Sequence, residues 1–119
     1  MVTELEARVQ RLEEQVRRLI NIADPEKHPF TYLVLEMGVT DDQVEKIFAL
    51  MEQVRKQILD HKTPMHHAEF EQRVYEIVPS HKGDYHFAES IVMCLNDTHQ
   101  YTEVYDHMRT SGMNLPKTN

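Results

Sequence analysis

Cysteine is nearly absent from this 119-residue chain, and the single Cys94 excludes an intramolecular disulfide framework. That fits a reducing, cytoplasmic setting. Tryptophan is missing and only three glycines occur, so there is no Gly-rich loop to cradle a phosphate with backbone amides. No apolar run approaches the ~20 residues that span a bilayer. The N-terminus lacks the basic region and apolar block of a signal peptide. Positive charge is also scarce. Thirteen Lys and Arg against 20 Asp and Glu leave a net charge of −7, with an isoelectric point of about 5.5. A nucleic-acid reader is normally basic, so that partner class is disfavoured. Eight His residues would offset part of the negative charge in acid. These shortages point to a soluble, helical protein with neither membrane nor nucleic acid as its partner.

What is present is a heptad repeat. Val2, Leu5, Val9, Leu12, Val16, Leu19 and Ala23 are spaced alternately three and four apart. This is the a/d seam of a coiled coil, with Val or Ala at a and Leu at d. A helix with one apolar stripe cannot bury it alone, so oligomerisation is expected. Arg8 at g and Glu13 at the next e can pair between parallel chains. β-branched a positions with Leu at d lean towards two strands. However, Arg8-Val9-Gln10-Arg11-Leu12-Glu13 follows an Arg-apolar-x-x-apolar-Glu pattern similar to trimerisation motifs of short parallel coils, in which the Arg stem covers the core and its guanidinium meets a neighbour's Glu. The expectation is a homotrimer, with a dimer held by an ordinary g–e ion pair as the alternative. A helix folded back on its own domain is a third arrangement.

Asp24-Pro25 ends the coil, because proline restricts the residue before it and cannot continue the ladder. Pro29 can open a second helix carrying Phe30, Leu33, Val34 and Met37, with Gly38 as its stop. Thr40-Asp41-Asp42-Gln43 reads as a capping box for a long third helix. Its inward face is expected to be Val44, Ile47, Phe48, Met51, Val54, Ile58 and Leu59. Thr63-Pro64 breaks it. A fourth helix is expected from Met65 to Val78, with Phe70, Val74, Ile77 and Val78 inward. A fifth runs from Asp84 to Leu95 with Phe87, Ile91, Val92 and Leu95. A sixth runs from Thr98 to Thr110 with Tyr101, Val104, Tyr105 and Met108. The fold class is thus all-α: a parallel coiled-coil helix over residues 1–23, a compact helical domain over 24–112 and a flexible tail over 113–119.

The Arg8–Glu13 pattern, the Pro29-Phe30 helix start, the Gly38-Val39-Thr40 turn and the His/Glu-containing helix around His86 to Leu95 together resemble the YhaI-like family. These are small proteins of unknown function from Bacillus and, by extension, its phages. The resemblance covers most of the chain, although the C-terminal half agrees only in pattern. It implies an all-α fold and assembly through the N-terminal helix, and it implies no activity.

Three constellations invite a chemical reading. Leu33 to Ile47 has the spacing of a helix-turn-helix, but the second helix begins with Asp41, Asp42 and Glu45, which would repel phosphates. Only Gln43 and Lys46 suit DNA. His99, Glu103 and His107 recur every fourth residue and would share a helix face, as two imidazoles and a carboxylate around a metal do. His66-His67 with Glu69 and Glu71, and His86 with Glu89, are weaker clusters. None matches a zincin or a di-iron pattern, and surface His and Glu are the plainer explanation. Cys94 lies in an apolar stretch that suits a small buried thiol, and Ser80 and Ser90 lack a nucleophile elbow. No enzyme, cofactor or functional metal is therefore expected.

The reading that remains is an oligomeric interaction or adaptor protein of the cytoplasm. Its interface would be Val2, Leu5, Arg8, Val9, Leu12, Glu13, Val16 and Leu19. Asp41, Asp42, Glu45, Glu52, Glu69 and Glu71 would be the candidate contacts to another protein. The alternative is a regulator of transcription or host defence that binds a protein, or less readily DNA, through the helical hairpin.

Overall fold

The computed structural model describes residues 3–117, and among these every regular element is helical. Helix α1 spans Glu4–Ile22. Thr3 caps it, its hydroxyl accepting from the Glu6 amide at 3.1 Å, with Glu4 and Glu6 favourably placed in the first turn. At its far end the Asp24 carboxylate accepts from the Glu26 amide at 3.1 Å, and this turn, with Pro25, prevents continuation.

Helix α2 spans Pro29–Met37, with proline at its start and Gly38 closing it in the left-handed region at φ 67°. The Val39 amide reaches back to the Val34 carbonyl at 3.1 Å, a Schellman-type end. Helix α3 spans Asp41–Leu59 and begins with the expected capping box. Thr40 Oγ1 accepts from the Gln43 amide at 3.2 Å, and Gln43 Oε1 accepts from the Thr40 amide at 3.0 Å. The other end of the same side-chain amide donates from Nε2 to the Ile77 carbonyl at 3.2 Å. One glutamine thus serves the start of α3 and the end of α4.

Helix α4 spans His67–Ile77, shorter at both ends than the sequence suggests. His66 caps it through Nδ1, which accepts from the Ala68 amide at 3.2 Å. Met65 precedes the helix yet is buried, and its amide donates to Gln57 Oε1 at 2.9 Å. A 3-10 turn at Pro79–His81 leads to α5, Tyr85–Asp97. His81 stacks on Phe87 at 4.5 Å between ring centres, and its Nε2 lies 3.0 Å from the Met37 carbonyl. That ring ties the end of α2 to the turn before α5.

Helix α6 spans Thr102–Ser111, four residues later in its start than the periodicity suggests. His99 at φ 62° and Tyr101 at φ 55° adopt left-handed backbone, and the Gln100 amide closes on the Leu95 carbonyl at 2.9 Å. Non-glycine residues enter that region rarely, so the turn reads as helix from periodicity alone.

The core lies among α2 to α6. Helix α5 is central, packing on α2, α4 and α6, while α3 packs on α4 and α6. Phe70, Ile47, Met51, Ile91, Leu95 and Met108 are fully buried. Leu50, absent from the expected inward face of α3, is buried, whereas Leu59 is exposed at the helix end and Val44, Phe48 and Ile58 are half-buried. The segment expected to be a loose tail returns to the core instead: Met113 and Leu115 are buried, and the Tyr105 hydroxyl donates to the Pro116 carbonyl. Two apolar side chains spaced by one residue can anchor an extended strand of chain without any helical period.

Helix α1 takes no part in this core. None of its residues is buried, and the molecule extends 59 Å along its longest axis against 29 and 22 Å across.

Candidate assembly surface

The seam predicted from the heptads stands bare. Leu5, Val9, Leu12, Val16 and Leu19 are all exposed, with Leu12 at 59 % and Leu5 at 68 %. Val2, the first expected seam residue, lies outside the described residues. The helical period places the others along one stripe, with Arg8 and Glu13 on its two flanks. Neither Arg8 nor Glu13 is ion-paired within the chain among the described residues. Along α1 a side-chain bond joins Gln10 to Glu14 at 3.4 Å.

In the same heptad frame Ile20 falls at e and Ile22 at g, so the stripe widens in the third heptad. Ile22 is 80 % exposed. The a and d positions alone do not show this widening; the flanking e and g positions carry it. Each seam side chain withdrawn from water contributes roughly 1.5–3 kcal/mol. The sum must exceed an association cost of about 4–15 kcal/mol.

Three of the six acidic positions are paired within their own helices. Asp42 pairs with Lys46 at 3.2 Å, Glu52 with Arg55 at 3.1 Å, and Glu69 with Arg73 at 3.5 Å. Asp41 and Glu45 are exposed on α3, and Asp41 lines a cavity beside α2. Glu71 is half-buried on α4. Burial raises its carboxyl above the ordinary value, Glu89 adds to the rise, and His67 and His66 oppose it. Glu89 is a buried carboxylate, 3.1 Å from His86 Nδ1.

The His99, Glu103 and His107 set does not converge. His99 sits in the left-handed turn before α6, Glu103 accepts from Arg55 Nε at 3.0 Å, and His107 Nε2 lies 2.8 Å from the Met65 carbonyl. These side chains join α6 to α3 and to the segment before α4. His66 and His67 are likewise engaged locally, His67 Nδ1 lying 3.4 Å from Ser111 Oγ. Among the described residues no three His, Cys, Asp or Glu side chains gather in a metal-binding group. Gln43 and Lys46, the two residues suited to DNA, are occupied by capping and by the Asp42 ion pair. Cys94 is half-buried, and burial together with Asp97 pushes its thiol up.

The family model described as "Protein of unknown function (DUF1878)" matches residues 2–72, more than half of the sequence. The chain belongs to the DUF1878 family. The matched span holds α1, α2, α3 and the first turns of α4, so the exposed seam lies inside the region that defines DUF1878. No curated protein and no solved structure matches the chain. Among the described residues no helix is long and apolar enough to cross a membrane.

Proposed function

We propose that this DUF1878 protein is a non-enzymatic, self-assembling interaction protein whose α1 helices form a parallel three-stranded coil. The observation that carries this reading is the bare seam: five regularly spaced Val and Leu side chains on a helix that shares no core with the rest of the chain. The charge pattern supports parallel strands, since Arg8 at g faces Glu13 at e of a neighbour. Ile20 and Ile22 support three strands over two. A helix with two neighbours covers both flanks of its a/d stripe, whereas a two-stranded coil leaves e and g partly in water.

The Arg8–Glu13 pattern and the Pro29-Phe30 helix start resemble the YhaI-like proteins of Bacillus and its phages, and that resemblance supports assembly through the N-terminal helix. A cytoplasmic trimer would display three copies of its exposed acidic α3 positions, Asp41 and Glu45, to another protein. Three weak contacts on one scaffold give an avidity that a single copy lacks. The deciding experiment is the absolute mass of the full chain by light scattering. Three times 14.1 kDa is expected. A monomer at all accessible concentrations overturns the proposal, and a dimer overturns the strand number.

A further inference from the structure

Three imidazoles hold the start of α4 at one corner, and their protons are arranged differently. His107 Nε2 donates to the Met65 carbonyl at 2.8 Å, since a carbonyl can only accept. Ser111 Oγ donates its proton to the Met108 carbonyl at 3.1 Å and accepts from the His67 amide at 3.2 Å. Toward the His67 ring, 3.4 Å away, the same oxygen is therefore an acceptor and Nδ1 the donor. His66 is the reverse case. Its Nδ1 accepts from the Ala68 amide at 3.2 Å, which requires a neutral ring protonated on Nε2 alone. An added proton leaves the bonds of His67 and His107 in place and abolishes that of His66.

We propose that His66 is a pH-sensitive latch, whose protonation frees the first turn of α4 and, through Ser111, loosens the seat of the C-terminal segment. The ring is exposed, so protons reach it directly from water. Imidazole ordinarily titrates at about 6.5, so the cap is present above that range and lost below it. The surroundings add to the effect. The His67 ring centre lies 4.3 Å from that of His66, and both residues sit at the positive end of α4, where a cation is unfavourable. Carboxylates oppose it in part: Glu71 interacts with both imidazoles, and Glu89 of α5 acts in turn on Glu71. Glu69 is engaged with Arg73 at 3.5 Å, and Gln57 of α3, which holds the Met65 amide, is neutral.

Ser111 carries the change to the end of the chain. Its hydroxyl receives the amide of His67, the first residue of α4. Gly112 comes next, so near the His67 ring that a Cβ there would lie 3.0 Å from Cε1. Met113 follows, buried, with its amide on the Met108 carbonyl at 2.9 Å, and Leu115 is buried beyond it. When the His66 cap is lost, the His67 amide and ring move with the turn to which they belong. Ser111 and Gly112 then lose the surface against which they rest.

The test follows amide hydrogen exchange in the full chain by NMR at about pH 7.5 and about pH 5.5, on either side of the imidazole range. Rates are corrected for intrinsic exchange, and α5 amides serve as the reference for any general loosening in acid. In the wild type, Ala68 and Met113 are expected to lose protection about fivefold relative to α5 on acidification, the scale of one lost cap. His66→Asn keeps a capping acceptor that does not titrate, so both amides should retain their protection at the lower pH. His66→Ala should show the acid-like exchange already at the higher pH. A wild type without the loss overturns the proposal. So does a His66→Asn chain that loosens as the wild type does, because another group then titrates. Loss at Ala68 with Met113 unchanged overturns the link to the C-terminal segment.

Discussion

Individual side chains here are governed chiefly by burial. Phe70 is fully buried in the core, so Phe70→Ala should destabilise the fold by about 3–5 kcal/mol, measured by urea denaturation. Glu71 behaves in the opposite sense. Because burial raises its folded pKa above the ordinary 4.5, the folded state holds the proton more tightly than the unfolded state. Its ionisation therefore lowers stability as pH rises through and above that value. Glu71→Gln should raise the melting temperature at pH 7, and the gain should vanish below about pH 4.5, where the carboxyl is neutral in both states. A variant less stable than wild type at pH 7 would contradict this. The Cys94 thiol, pushed up by burial and Asp97, should react with iodoacetamide far more slowly at pH 7.5 in the folded protein than in urea. The individual roles of these residues were only partly legible beforehand. The apolar run around Cys94 suggests a buried thiol, whereas the structure leaves it half-buried, and the influence of Glu89 of α5 on Glu71 of α4 has no local signal.

Helices announce themselves by local chemistry, and their ends were readable where that chemistry is local. Thr3, the Asp24-Pro25 break, Pro29, Gly38 and the Thr40–Gln43 box all act within a few residues of themselves, and each lies at the boundary it signals. Periodicity places the start of α6 too early because His99 and Tyr101 adopt left-handed backbone ahead of the helix. Gln43 has a second role that no capping rule reveals, since its Nε2 reaches Ile77 across 34 positions of sequence. Gln43→Ala should therefore cost more than an ordinary cap, about 1–2 kcal/mol in chemical denaturation. At the α1 seam, Leu12→Asp would place a charge in the centre of every assembled interface. It should reduce the scattering mass to that of a monomer, while the circular dichroism of the globular helices persists.

At the scale of the whole molecule, α1 and the α2–α6 core share no buried residue, so their stabilities should respond differently to concentration. Amide hydrogen exchange is expected to show α1 protection rising with protein concentration while α5 protection stays constant. Equal behaviour of the two would mean that α1 is not held by other copies. The sequence by itself determined the all-helical class, the separation of the heptad segment from the rest at Asp24-Pro25, and most of the inward faces, because periodicity and capping are set by neighbours three or four residues apart. Only the tertiary structure decided that Met65, Met113 and Leu115 complete the core and that α1 stands clear of it. It also decided that the His and Glu residues of α6 serve as ties to other elements. Those outcomes depend on which surfaces meet after the chain has turned back on itself, and a carbonyl at Met65 waiting for His107 leaves no mark in either local segment.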